Sequence, residues 1–252
     1  MAEEEKKSAV EQVWEESNKT GIDGPSPNAT KLIKEFETFK TEAYAATEGE
    51  KADGKLTIGW GSTLDLNRKM IQPGQKIDRE TAERLLGRDM LEASDFVKRM
   101  VKVPLSQNQF DALVSLTYNT GAKNVAKSNL LKKLNAGKYD EAAKEFWDWN
   151  KQTVNKKDPQ TGKTIINSRT GKPQTMKVTL DGLTHRRVIE ESLFRGEAPK
   201  QVNARRPKKF QHVRDEPFRT ADINFVGDDS QNEIQPAGLT NDGSNGNTSP
   251  AS

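Results

Sequence analysis

The sequence predicts a mainly helical α+β fold, with a small β-hairpin lobe near its start, a helical lobe after it and extensions at both ends. Three observations predict it. Two short extended runs around a Gly- and charge-rich turn lie between residues 43 and 61. From Asp78 onward apolar residues recur at helical spacing. Both ends of the chain are polar and poor in aliphatic residues, so they cannot bury enough surface to join a core.

Taken in order, residues 1–27 read as an N-terminal helix and linker. Val10, Val13 and Trp14 sit at helical spacing, and Gly21-Ile22-Asp23-Gly24-Pro25-Ser26-Pro27 breaks any helix. Residues 28–197 form the folded unit. Asn28 or Thr30 can cap a helix that carries Leu32, Ile33 and Phe36 on one face. Ala43-Tyr44-Ala45-Ala46-Thr47 and Leu56-Thr57-Ile58-Gly59-Trp60-Gly61 make the arms of the hairpin. Asp78 caps a helix bearing Ala82, Leu85, Leu86, Met90, Ala93, Phe96 and Val97, and Ser106 caps another bearing Phe110, Leu113, Val114 and Leu116. Leu130, Leu131 and Leu134 lead into a helix stop at Asn135-Ala136-Gly137. Asp140 opens a helix with Ala142, Ala143, Phe146, Trp147 and Trp149. An insertion at about 153–182, with turn signals at Asp158-Pro159, Thr161-Gly162 and Thr170-Gly171-Lys172-Pro173, makes turns or a short hairpin. A last helix spans about His185 to Arg195, and residues 198–252 read as a polar, largely disordered tail.

Composition excludes several classes of function. The 252 residues contain no cysteine and two histidines, which rules out a disulfide framework and leaves little for a metal site. No apolar run reaches membrane-spanning length, and the acidic start lacks the apolar segment of a secretory signal. Residues 25–196 carry 30 basic and 22 acidic side chains, a body suited to a polyanionic partner. The cluster Arg205-Arg206-Pro207-Lys208-Lys209 lacks interleaved aromatics beyond Phe210, so a nucleic-acid role is a weak alternative.

Glu37 ends the first apolar helix, just before the hairpin arm that carries Thr57. A carboxyl buried partly against Phe36, Phe39 and Trp60 would resist ionisation, because an apolar surrounding disfavours the charged form, and could then donate a proton. Around it, Phe36-Glu37-Thr38-Phe39-Lys40, Ala43-Tyr44 and Thr57-Ile58-Gly59-Trp60-Gly61-Ser62-Thr63 resemble the N-terminal motif of the phage-type lysozymes and endolysins, glycoside hydrolase family 24. The resemblance continues in the family's order through Val103 to Leu113, Tyr118-Asn119-Thr120-Gly121, Ser128 to Gly137, Phe146-Trp147-Asp148-Trp149-Asn150 and Gly182-Leu183-Thr184-His185-Arg186-Arg187. It covers about Thr30 to Gly196.

The resemblance implies a lysozyme-like fold in two lobes with the glycan between them. It implies a muramidase that cuts the β-1,4 bond between N-acetylmuramic acid and N-acetylglucosamine with inversion and without a cofactor, in phage lysis or wall penetration. Glu37 matches the general acid, and Thr57 the threonine that helps place the attacking water. Where the family has an aspartate two residues after the tyrosine, this chain has Ala46. Glu48, Glu50 or Asp53 of the longer following loop can bring a carboxylate back, Glu48 by strand parity, although Asp53-Gly54 also reads as a plain turn. Tyr44 and Trp60 beside the cleft, and Gln107, Gln109 and Asn119, are candidate sugar-binding residues, each with a structural reading beside it. Trp147 and Trp149 read as packing residues, Arg186 and Arg187 as structural ion-pair formers. Peptidoglycan is the expected partner, with other virion proteins as candidates for the terminal extensions. The protein would await a holin-type lesion in the host cytoplasm or travel in a virion. The competing reading is a virion structural protein that kept the fold and lost the reaction.

Overall fold

The computed structural model describes residues 22–46, 54–210, 223 and 225. The expected helix around Val10–Trp14 and the carboxylates Glu48, Glu50 and Asp53 lie outside them.

Helix α1 (Pro27–Phe36) starts earlier than expected. Ser26, not Asn28 or Thr30, is its cap: the hydroxyl accepts from Asn28 N–H at 3.1 Å, and Pro27 takes the first helical position, where no N–H is needed. Ser26 is fixed there by Asp111, which accepts from both its N–H and its hydroxyl. Ala29, Leu32 and Ile33 form the buried stripe of α1. At Glu37 the backbone turns extended, so the helix stops and the chain enters strand β1 (Lys40–Tyr44). Strand β2 (Thr57–Gly59) pairs antiparallel with β1, Lys40 facing Gly59 and Tyr44 facing Thr57, with an irregularity between the two pairs. Gly59 has φ +65°, and a Cβ there would stand 3.4 Å from the Ala82 Cβ, so glycine lets the hairpin lie close against the next helix.

That helix, α2 (Arg79–Met100), starts at the Asp78 cap as expected, Asp78 accepting from Thr81 N–H at 2.7 Å. Helix α3 (Gln107–Thr120) opens with a full capping box between Ser106 and Gln109. Short helices α4 (Ala122–Val125), α5 (Asn129–Asn135) and α6 (Tyr139–Lys144) follow, and α5 ends at Gly137 in the left-handed region. A 3-10 turn (Glu145–Trp149) leads into the insertion, which is a hairpin of strands β3 (Lys151–Asn155) and β4 (Thr175–Thr179).

Helix α7 (Asp181–Arg195) begins four residues before the expected start and is buried without a break from Thr184 to Phe194. It packs along α3, and these two helices with α2, α5 and α6 enclose the main core around Leu113, Leu116, Leu130, Phe146 and Leu193. A second cluster joins Ala29 and Ile33 of α1 to Trp60, Ala82, Leu86 and Met90, and so ties the small lobe to α2.

The chain expected to be tail from residue 198 is instead ordered at its start. Helix α8 (Pro199–Ala204) and a 3-10 turn (Lys208–Phe210) wrap back, and Val202 and Phe210 bury with Trp147 and Val188. Two apolar side chains in an otherwise polar stretch suffice because Trp147 offers a face for Phe210 to stack on, ring centres 6.0 Å apart.

Candidate active site

Glu37 stands where α1 gives way to β1, its N–H donating to Ile33 carbonyl at 2.9 Å. Its side chain is 21% exposed. Arg186 of α7 donates from Nη1 to Glu37 Oε1 at 2.5 Å. The other oxygen, Oε2, lies beside the Gly61 turn, 3.6 Å from where a Cβ would stand; Gly61 has φ +101°, a conformation that favours glycine. The carboxyl is thus partly buried beside Phe36, over whose ring the guanidinium lies at 5.8 Å, and it sits in an ion pair that the sequence reading did not include.

Arg186 is itself buried and held from behind. Its Nε donates to Glu190 Oε1 at 3.0 Å, one turn along α7, and Ser115 Oγ donates to the same oxygen at 2.7 Å. Burial works against the Arg186 charge, but the carboxylates of Glu190 and Glu37 outweigh it and keep the guanidinium protonated. Arg187 donates to Glu190 at 2.9 Å and to Asn119 Oδ1 at 3.1 Å. Its Nε also lies 2.9 Å from Glu190 Oε2, but out of line for a hydrogen bond. Burial, aided by the like charge of Arg186, pulls the Arg187 pKa down to about 10 against the attraction of Glu190. One buried chain thus runs from Asn119 through Arg187, Glu190 and Arg186 to Glu37.

Thr57 is buried, and its hydroxyl donates to Tyr44 carbonyl at 3.2 Å, so its oxygen lone pairs remain to accept from a water. Tyr44 is half-buried at the end of β1, a few residues before Glu48 and Asp53 in sequence. Trp60 is a core residue and not a cleft wall: it is 4% exposed, packs on Phe39 at 4.5 Å, and its carbonyl accepts from Tyr118 hydroxyl at 2.8 Å. Burial, with Asp89 and Glu37 nearby, raises the Tyr118 pKa, so that hydroxyl stays a donor.

Two other sugar-binding candidates have structural work. Gln107 donates to Gly24 carbonyl at 3.0 Å and to Asp111 at 2.9 Å, which fixes the entry to α1. It stands twelve residues from Asn119 on α3, about 18 Å away at the helical rise, so the two do not share a site. Gln109 completes the Ser106 capping box. Asn119 is joined to the Glu37 network through Arg187. The basic cluster after α8 is engaged locally: Arg205 pairs with Glu197, Arg206 with Asn203, and Lys209 with Asp148. Sequence reasoning found Arg186 and Arg187 as ion-pair formers but missed Arg186 as the partner of Glu37. The Arg-Arg-x-x-Glu spacing shows the pairing within α7, whereas no local signal links positions 149 apart. Among the described residues no group of three His, Asp or Glu is placed to hold a metal ion, and no helix is long and apolar enough to cross a membrane.

Comparison with known proteins identifies the family. The profile of the family described as phage lysozyme matches residues 34–190. The endolysin of Acyrthosiphon pisum secondary endosymbiont phage 1 is 36% identical over 163 residues, which cover 65% of this chain and 92% of that protein. The endolysin of Bacillus phage B103 is 45% identical over 120 residues, but these span only 43% of its length. The solved endolysin of Escherichia coli O157:H7 phage FAHEc1 is 35% identical with a TM-score of 0.53, covering 69% of this chain and 94% of that one. With the profile spanning well over half of its residues, this chain belongs to the phage lysozyme family.

Proposed function

We propose that the protein is a muramidase that hydrolyses the β-1,4 bond between N-acetylmuramic acid and N-acetylglucosamine in bacterial peptidoglycan. The observation that carries this reading is the partly exposed Glu37 carboxyl, with Oε1 held by Arg186 and Oε2 beside Gly61. Arg186 fixes the plane of the carboxyl, which leaves Oε2 as the atom that carries a proton to the glycosidic oxygen. As the bond from the anomeric carbon to that oxygen breaks, the leaving sugar takes the Glu37 proton. A water accepted by Thr57 forms the new bond from the opposite face, which inverts the anomeric centre. The water's proton passes to a carboxylate of the loop after Tyr44, Glu48 in the first instance and Asp53 in the second. The substrate lies between the hairpin lobe and the helical lobe, with Tyr44 and Asn119 as polar contacts at its edges. In a phage, the protein reaches the wall from the host cytoplasm through a holin lesion or is carried there in the virion, where the terminal extensions contact other virion proteins.

The test is release of new reducing ends from purified peptidoglycan by the wild-type chain and by Glu37→Gln. Loss of the acid lowers the rate by about 10²- to 10⁴-fold. Equal release by both proteins would overturn the assignment of Glu37. No release by either, with both folded, would point to a structural protein in which the change to Ala46 ended the reaction.

A further inference from the structure

The β3–β4 hairpin projects from the base of α7. Leu180 N–H donates to Asn150 carbonyl at 3.0 Å and closes its neck, and Asn150 donates on to Thr184 in the first turn of α7. Arg186 follows Leu180 by six residues, so the neck stands about 9 Å along the helix from the Glu37 partner. Beyond the paired strands the tip splits into two turns. One is closed by Asp158 and Gly162 and bridged at Lys157 and Thr164; the other is closed by Asn167 and Gly171 and bridged at Ile166 and Pro173. Seven residues from Lys151 to Lys157, at strand rise, carry the tip roughly 20 Å from its neck.

Charge on this arm is one-sided. Residues 151–179 hold seven cations and a single acid, Asp158. That acid is occupied: its Oδ1 accepts from Gln160 N–H, Thr161 N–H and the Thr161 hydroxyl. Lys151 at the neck lies over the Phe210 ring. Lys156, Lys157, Lys163, Arg169, Lys172 and Lys177 are all exposed and bracket both turns and the stem. In an antiparallel ladder facing residues share a side, so Lys177 lies with Thr153, Asn155 and Thr175 on a polar face, while Val154 and Val178 take the more covered one. The stretch contains no Phe, Tyr or Trp, so it offers neither a stacking platform for bases nor an aromatic anchor for a bilayer.

We infer that this hairpin is a binding arm for the carboxylates of the peptide stems that hang from the peptidoglycan glycan, holding the wall beside the active site. Exposed cations spread along one arm attract such anions through water and keep the chain near a repeating polyanion, while Thr and Asn side chains of the polar face accept and donate hydrogen bonds to the stem amides. The inference rests on the peptidoglycan reading of the site, and it adds a contact to the stems rather than to the scissile sugar.

The experiment measures retention on insoluble peptidoglycan freed of attached phosphate polymers, in a Glu37→Gln parent so that nothing is cut. The parent is retained on this material, and at least about tenfold less after its stem carboxylates are converted to amides with a carbodiimide and ammonia, which leaves the cross-links and the insolubility intact. Its retention falls steeply as salt rises from about 50 to about 500 mM, because exposed charges are screened. Changing Lys156, Lys157, Lys163, Arg169, Lys172 and Lys177 together to Gln lowers retention by about tenfold or more, while changing the five lysines to Arg preserves it. Equal retention by the Gln variant, retention blind to amidation of the stems or to salt, or tighter capture by DNA or anionic vesicles than by the wall would each overturn the inference. Should the unmutated chain release no reducing ends while stem-dependent retention persists, the active-site reading fails and the arm stands.

Discussion

Arg186 divides its donors between two carboxylates: Nη1 goes to Glu37 at the surface and Nε to Glu190 in the interior. Glu190 in turn is the counter-charge for two fully buried guanidiniums, Arg186 and Arg187. Replacing it by glutamine keeps the volume and removes the charge that both arginines face. A buried pair broken from one side costs about 3–5 kcal/mol, so Glu190→Gln should lower unfolding stability by that order in urea titrations, and should loosen Arg186 against Glu37. A loss below about 1 kcal/mol would mean that the two arginines find other compensation. This network is also where the sequence was least legible. The i, i+3 and i, i+4 spacing of Arg186, Arg187 and Glu190 is visible in the chain, but the meeting with Glu37 is made by folding alone.

The elements read best where their ends are decided by neighbours in sequence. Asp78 and Ser106 start α2 and α3 because each side chain reaches an N–H three residues on. The start of α1 was misplaced because its cap is chosen from afar: Asp111, 85 residues later, holds Ser26 in position. Trp60 shows the same limit, since a hairpin aromatic reads equally as cleft or core until α2 is laid across it. The last turn after α8 is the clearest correction, and it carries its own prediction. Phe210 is 2% exposed against Trp147, so Phe210→Ala should cost about 3–5 kcal/mol, read as a lowered urea midpoint. A midpoint unchanged from wild type would restore the reading of a free tail from residue 198.

On the scale of the whole molecule, the entry segment is pinned to the central helix by one buried carboxylate. Asp111 accepts from Ser26 and Gln107, and Gln107 also holds Gly24. Burial raises the Asp111 pKa above its ordinary 3.8, although those hydrogen bonds work the other way. A carboxyl with a raised pKa binds more protons folded than unfolded, so its contribution to stability declines as pH climbs from the unfolded value through the folded one. Asp111→Asn removes that decline. The stability of the wild type minus that of the variant should therefore fall across the acid range, measured by urea titration at a series of pH values. A difference that stays level or grows with pH would show that Asp111 is not the group responsible. The two-lobed arrangement itself was legible, because the family motifs and the change from hairpin to helical spacing fall in the same order as the lobes.

The separation of Glu37 from Arg186 also bears on how the protein is made. Glu37 leaves the ribosome 149 positions ahead of the guanidinium that pairs with it. During that interval the nascent chain holds Glu37 without its partner, and α7, which docks along α3, must emerge before the two can meet. Synthesis thus completes this ion pair late: within the folded unit Glu37 is among the first residues to appear, and Arg186 is among the last.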